Sequence, residues 1–187
     1  MSMDATEAAV HFALALQRAG IPHAIGGAIA YGFFGAARGT FDVDLNLFIG
    51  GEQARGALDG LIAAGLSIDR PLALSSATER GVARGIFQGM PVGLFFNSIP
   101  VHERAATRTV DVVLHGEHVR VLSPEDTAVF KMLFYRAKDL VDVDRLLANM
   151  GAKLDASYVR TALVETVGEG DYRVARWDEL TRGTNRA

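Results

Sequence analysis

Two aspartates and an asparagine alternate with apolar residues in Phe41-Asp42-Val43-Asp44-Leu45-Asn46-Leu47-Phe48-Ile49. In an extended strand alternate side chains share a face, so Asp42, Asp44 and Asn46 project together while Val43, Leu45 and Leu47 project the other way. Aspartate is depleted in strands, and two like charges on one face repel unless a cation lies between them. An edge strand with a solvated acidic face would carry this pattern without any chemistry. A divalent-metal site would use it, because hard cations such as Mg2+ take carboxylate oxygens and paired carboxylates can bridge two metals.

Three other features could serve such a site. Gly26-Gly27 stands between a short strand pattern and a helix pattern. Two glycines there allow close backbone approach, and the helix that follows offers free N–H groups to an anion; a plain turn is the other reading. The spacing matches neither a Walker loop nor a dinucleotide fingerprint. Lys131 is the only polar residue in Ala128-Val129-Phe130-Lys131-Met132-Leu133-Phe134. It is either a side chain that snorkels to water or a cation held against phosphate or substrate. Arg136, Lys138, Asp139, Asp142 and Asp144 follow as a dense charged cluster, in which Asp139 and Asp142 share a helix face. A solvated first helical turn that favours acids explains most of this cluster. No pair of the five histidines fits a zinc pattern, and Trp177 lies in a polar tail.

The elements that must position these residues follow from periodicity. Residues 4–19 read as an amphipathic helix with Asp4 as N-cap and Glu7 three residues on, and 23–25 as a short strand. Residues 28–36 read as a buried helix, 41–49 as a strand and 52–64 as a helix. In 67–82 the signal is weak: 72–74 suits a strand edge and 75–81 a loop or short helix. Residues 86–88 and 92–96 pair as a hairpin around Gly89, and 109–114 and 118–122 as a second around Gly116. Ser123-Pro124-Glu125-Asp126 is a strong helix start, opening helices over 123–136, 139–149 and 156–167, after which the tail beyond Gly168 is polar enough to fray.

With 187 residues, 49% hydrophobic, 22% charged, net charge −3 and no cysteine, the chain suits a single folded domain and excludes collagen-like, low-complexity and disordered classes. The absence of cysteine excludes disulfides, thiolate zinc sites and thiol nucleophiles. The start lacks the basic region and apolar core of a signal peptide, and no apolar run reaches the length of a membrane span, so a cytoplasmic protein with no membrane partner is expected. All but three of the nineteen basic residues are arginine, so a local basic patch is compatible with the mild acidity.

Gly26-Gly27, Arg38-Gly39-Thr40, Asp42-Val43-Asp44, Ser123-Pro124-Glu125-Asp126, Lys131 and Arg136-Ala137-Lys138-Asp139-Leu140-Val141-Asp142, in that order, resemble the nucleotidyltransferase superfamily of the DNA polymerase beta type. The resemblance covers about residues 20–150 and is closest to small bacterial AbiEii-type toxins and related minimal nucleotidyltransferases. It implies an α/β (α+β) fold, a small mixed twisted sheet with packed helices over residues 1–122, followed by a helical segment, 123–187, packed on that core as one unit. It implies Mg2+-dependent transfer of a nucleoside monophosphate from a nucleoside triphosphate to an acceptor, with release of pyrophosphate. Asp42 and Asp44 would bind the metal, and Gly26 and Gly27, with Arg38 and Thr40, the triphosphate. Lys131 and Asp139 or Asp142 would take the places of a helical lysine and a later aspartate used by the toxin branch.

The acceptor would be a tRNA 3′ end, a protein hydroxyl or a small antibiotic, and the toxin branch adds a cognate antitoxin as a partner. A tRNA would call for a basic surface around Arg136, Lys138, Arg145 and Arg160. Two departures stand out. Many members have a serine after the first glycine, where Gly27 offers only its N–H. The usual third carboxylate, in a Val-Asp-Leu context on a later strand, is matched by Val92-Gly93-Leu94. Gly93 in place of an acid implies a slow enzyme, another base such as Asp111, or a catalytically inactive binding module on the same fold.

Overall fold

The computed structural model describes residues 3–184. Helix α1 (Ala5–Arg18) starts at the expected capping box, in which the Asp4 carboxylate accepts from the Thr6 and Glu7 amides and Glu7 reaches back to the Asp4 N–H. Strand β1 (His23–Ile25), helix α2 (Gly27–Phe34), strand β2 (Val43–Gly50) and helix α3 (Ala54–Ala63) follow in the order the periodicity predicts. Strand β2 begins at Val43, so Asp42 lies in the bend ahead of it rather than within the strand.

The weakly patterned middle is a single helix, α4 (Arg70–Arg80), not a strand edge at 72–74. Its ends are well specified, by Asp69 accepting from the Leu72 amide and by Gly81 in the left-handed region at φ +67°. Only Ala73 and Ala77 are buried along it, while Leu72 is exposed, so it has little apolar period to read. Strands β3 (Val82–Phe87) and β4 (Met90–Asn97) form the first expected hairpin and β5 (Val110–Leu114) and β6 (Glu117–Val121) the second, with α5 (Pro100–Thr107) between them.

All six strands share one sheet in the order β3-β4-β2-β1-β6-β5. β2 runs parallel to β4 and antiparallel to β1, which places it in the interior and removes the edge-strand reading of its acidic face. The register aligns Val43, Leu45 and Leu47 with Val92, Leu94 and Phe96, all buried, to make one apolar face. Helix α1 covers it, with Phe12 edge-on to Phe87 of β3 at 4.9 Å between ring centres. On the other face, Asp44 aligns with Gly93 and Asn46 with Phe95.

Helices α6 (Pro124–Phe134), α7 (Ala137–Met150), α8 (Ala156–Val167) and α9 (Tyr172–Thr184) complete the chain. α6 opens as expected, with Ser123 Oγ accepting from the Asp126 amide, and lies over the acidic face, where Phe134 meets Phe95 at 5.7 Å. The tail is helical where polarity suggests fraying: Val174 and Trp177 are buried, and Trp177 Nε1 donates to the Ala156 carbonyl at 3.1 Å. Apolar residues of the sheet and of α6–α9 belong to one continuous core. Among the described residues, no helix is long and apolar enough to cross a membrane.

Candidate active site

The site forms where α2 and α6 meet the polar face of β2. Gly27 adopts φ +58°, and a Cβ there would overlap the Asp44 carboxylate, while one on Gly26 would overlap the Asn46 amide. The Gly26 N–H donates to the Asp44 carbonyl at 2.8 Å, so the turn is pinned directly over the acidic strand. Glycine is therefore required here by close approach, and the plain-turn reading is too weak. The first-turn amides of α2, at the positive end of its dipole, open beside Asp44.

Asp42 is held by the Thr40 hydroxyl, which donates to its Oδ1. Among the described residues Asp44 makes no hydrogen bond through its carboxylate, and burial, reinforced by Asp42, pushes it up to about 6. Arg136, Lys138 and Lys131 oppose that rise from a distance. Two neighbouring carboxylates, one of them lacking a donor and kept from ionising freely, form the environment a divalent cation relieves.

Lys131 does not snorkel. It is 5% exposed, and its Nζ donates to Asp142 Oδ2 at 2.7 Å and lies 3.9 Å from Asp139 Oδ1 and 4.9 Å from the centre of the Tyr31 ring. Asp142, itself buried, also takes a forked pair from Arg38, with Nη2 at 2.9 Å and Nε at 3.2 Å. Burial pushes the Asp142 carboxyl up, but the bonds from Arg38 and Lys131 outweigh it and hold the group below the usual carboxylate range. Asp139 is buried too, capping α7 by accepting from the Arg136 N–H at 3.2 Å and from Arg136 Nε at 2.6 Å. The acids at 139 and 142 are thus buried ion-pair partners, not a solvated first turn.

These groups surround two recesses that share Asp42, Asp44, Phe95, Phe134 and Arg136. The first runs toward Gly27, Arg38, Lys131, Lys138 and Asp139. The second runs toward Pro91, Gly93 and Arg84. Thr40 and Asp142 stand behind the first recess, holding Asp42, Lys131 and Arg38 in place. Periodicity gives no sign of Arg84, which joins the site only through the register that sets it opposite Gly93, or of the Phe95–Phe134 wall. Asp111 is far from this centre: it lies exposed on β5, three strands from β2, and faces Arg120 at 3.6 Å. The basic cluster is also divided, since Arg136 is paired to Asp139 and Arg160 to Glu169 and Asp178.

No protein-family model matches the chain, and no curated protein sequence matches it. Solved structures do. A crystal structure of ANT(2″)-Ia in complex with adenylyl-2″-tobramycin aligns at TM-score 0.60 and 13% identity, covering 93% of this chain and 97% of that one. The solution structure of the same antibiotic-resistance factor aligns at TM-score 0.58 and 15% identity, covering 99% of this chain and 100% of that one. The fold is that of the nucleotidyltransferases. The lincomycin-bound lincosamide antibiotic adenylyltransferase LnuA also aligns, at TM-score 0.50 and 11% identity over 77% of this chain and 98% of that one. Within this nucleotidyltransferase fold, the described residues contain no group of three or more acids or histidines able to cage a metal. The carboxylate pair Asp42 and Asp44 is what the site offers.

Proposed function

We propose that the chain transfers a nucleoside monophosphate from a nucleoside triphosphate to an acceptor in a Mg2+-dependent reaction that releases pyrophosphate. The observation that carries this is the meeting of two recesses at one carboxylate pair, one bordered by a helix N-terminus and Lys131, the other running toward Gly93 and Arg84. Phosphoryl chemistry needs its two reactants brought in line across a neutralised phosphorus, and two recesses joined at a metal site meet that need.

Mg2+ fits these residues. It is commonly bound by one or two carboxylates together with substrate phosphates, not by a closed protein cage, and Asp44 has a carboxylate without a donor. Asp42 and Asp44 would hold it, and when bound it would neutralise the phosphates and polarise the one under attack. Around the first recess the acids Asp42, Asp44, Asp139 and Asp142 are matched one for one by Arg38, Lys131, Arg136 and Lys138. The triphosphate's charge would then fall to the bound Mg2+ and the α2 N-terminus to offset.

The protein's own groups complete the machinery. The α2 amide N–H groups would donate to phosphate oxygens in place of water. Lys131, fixed by Asp142 and Asp139, supplies a positive field that needs no reorganisation as charge develops. Thr40 and Arg38 hold the loop that carries Asp42. Of the acceptor classes, a small molecule suits the second recess better than tRNA, because two of the four residues of the basic cluster, Arg136 and Arg160, are taken up by internal pairs. The neighbours' antibiotics, tobramycin and lincomycin, are acceptor-sized ligands of the same kind. The AbiEii-type kinship, with its antitoxin, rests on motif order alone.

The test is incubation with Mg2+, each α-labelled nucleoside triphosphate and an acceptor mixture that includes total tRNA, beside an Asp42→Asn/Asp44→Asn control. Label transfer and pyrophosphate release that vanish in the control support the proposal. Gly93 favours one second reading, a module that binds nucleotide without turning it over. Metal-dependent nucleotide binding with no pyrophosphate release would select it.

A further inference from the structure

On the polar face of the sheet, Arg84 of β3, Gly93 of β4 and Asp44 of β2 form one cross-strand row. Neighbouring strands lie about 4.8 Å apart, so Arg84 and Asp44 stand about 10 Å apart at the backbone, and Gly93 adds no side chain of its own between them, where only the edge of the Phe95 ring and the Asp44 carboxylate reach in. That gap is the floor of the second recess, whose wall is the edge-on pair Phe95 and Phe134. Arg84 makes no hydrogen bond or ion pair with any described residue, whereas Arg38 and Arg136 are both committed to carboxylates. Beyond Asp42 and Asp44, assigned above to the metal, this recess is lined by no acid that could serve as a base, and a guanidinium unpaired among the described residues stands opposite Gly93.

These two facts have one chemical solution. A hydroxyl must lose a proton as it attacks phosphorus, which calls for a base; a phosphate monoester or a carboxylate is already ionised at neutral pH and calls for a cation to hold it. We propose that the acceptor's attacking atom is such an oxyanion, held by Arg84 in the gap left by Gly93, with the acceptor's apolar part against Phe95 and Phe134. The proposal rests on the nucleotidyl-transfer reading above. In the step, the acceptor oxygen forms a bond to the α-phosphorus, the bond from that phosphorus to the bridging oxygen of the β-phosphate breaks, and pyrophosphate leaves with the electron pair. No proton is removed from the acceptor. The product is a nucleotidyl anhydride, a P–O–P bond from a phosphate or an acyl phosphate from a carboxylate.

The probes are phenyl phosphate, benzoate and benzyl alcohol, titrated calorimetrically into the protein saturated with Mg2+ and an α,β-methylene nucleoside triphosphate. Either anion should bind, the tighter of the two naming the source, and benzyl alcohol should not. Arg84→Gln, an exposed change that breaks no contact, should weaken anion binding about ten- to a hundredfold, as expected for a lost charged hydrogen-bond pair, while nucleotide affinity is kept. Gly93→Asp is compatible with the backbone, and its Cβ would lie 3.0 Å from Asp44 Oδ1 and 3.1 Å from Phe95, both side-chain atoms that can yield. It would place an acid between Asp44 and Arg84 and should abolish anion binding. With a hydrolysable nucleotide, the bound anion should be converted to the anhydride, seen by phosphorus NMR. Anion binding that is absent, no tighter than that of the alcohol, unchanged in either variant, or unaccompanied by anhydride overturns the proposal. Failure of the nucleotide itself to bind with Mg2+ overturns instead the transfer reading on which it rests.

Discussion

Replacing Asp44 by Asn should stabilise the metal-free protein. In the folded chain, burial and the Asp42 charge raise the Asp44 carboxyl from an ordinary 3.8 to about 6. At pH 8 the group is ionised in both states, and the folded state carries the cost: a gap of about two pH units at 1.36 kcal/mol each is about 3 kcal/mol. The raised carboxyl binds its proton first in the folded state, so wild type recovers stability as pH falls through 6 toward 3.8. The advantage of Asp44→Asn is therefore full above pH 6 and closes below it. For a chain of this size it corresponds to a rise in Tm of about 6–12 °C. Thermal melts in EDTA at about pH 8 and about pH 4.5 measure it directly. Mg2+ added to wild type at the higher pH should narrow the gap, since an ion bound only by the folded state stabilises it. A variant no more stable than wild type at pH 8, or one whose advantage persists unchanged at pH 4.5, would refute the reasoning.

Gly27→Ala should cost about 1–2 kcal/mol for its left-handed backbone and also displace the Asp44 carboxylate, so Mg2+ titration should show affinity lost along with stability. Gly20→Ala, at φ +68° with open space around it, is the matched control and should lose stability alone. Lys131→Met should destabilise by about 3–5 kcal/mol in urea melts, because it leaves two buried carboxylates short of a partner. His102 is buried against Phe130, with neither ring nitrogen hydrogen-bonded, and burial lowers it to about 4. Wild type should therefore lose stability as pH falls from 6.5 toward 4, and His102→Leu should remove that loss, by about 3 kcal/mol at the acid end.

What could be read from the chain was local. The alternation in β2, the glycine pair and the Ser-Pro start of α6 each depend on a few adjacent residues, and each is where the pattern places it. Helices α4 and α9 escaped because they are anchored by two small or isolated apolar residues apiece, Ala73 with Ala77 and Val174 with Trp177. Pairings set by the tertiary fold left no trace in spacing. Arg38 meets Asp142 across 104 positions, and Arg84 reaches the site only because β3 and β4 align it with Gly93. The burial of Lys131 was illegible for the same reason, since its two acids lie on the following helix and a solvated side chain has the same sequence.

The forked bond from Arg38 to Asp142 also sets an order of assembly. Residues 35–42, which carry Asp42, contain no helix or strand; Gly35 and Ala36 bond back to Tyr31, and the tie to the C-terminal helices runs through Arg38 to α7. Chains are made from the N-terminus, so Asp42 and Asp44 emerge within the first quarter of synthesis, while the helix that steadies the loop of Asp42 comes about a hundred residues later. A nascent chain on the ribosome therefore carries this carboxylate pair for most of its elongation without the bond from Arg38 to Asp142. On the proposed function, the loop that carries Asp42 would take its working position only once α7 has folded back onto it.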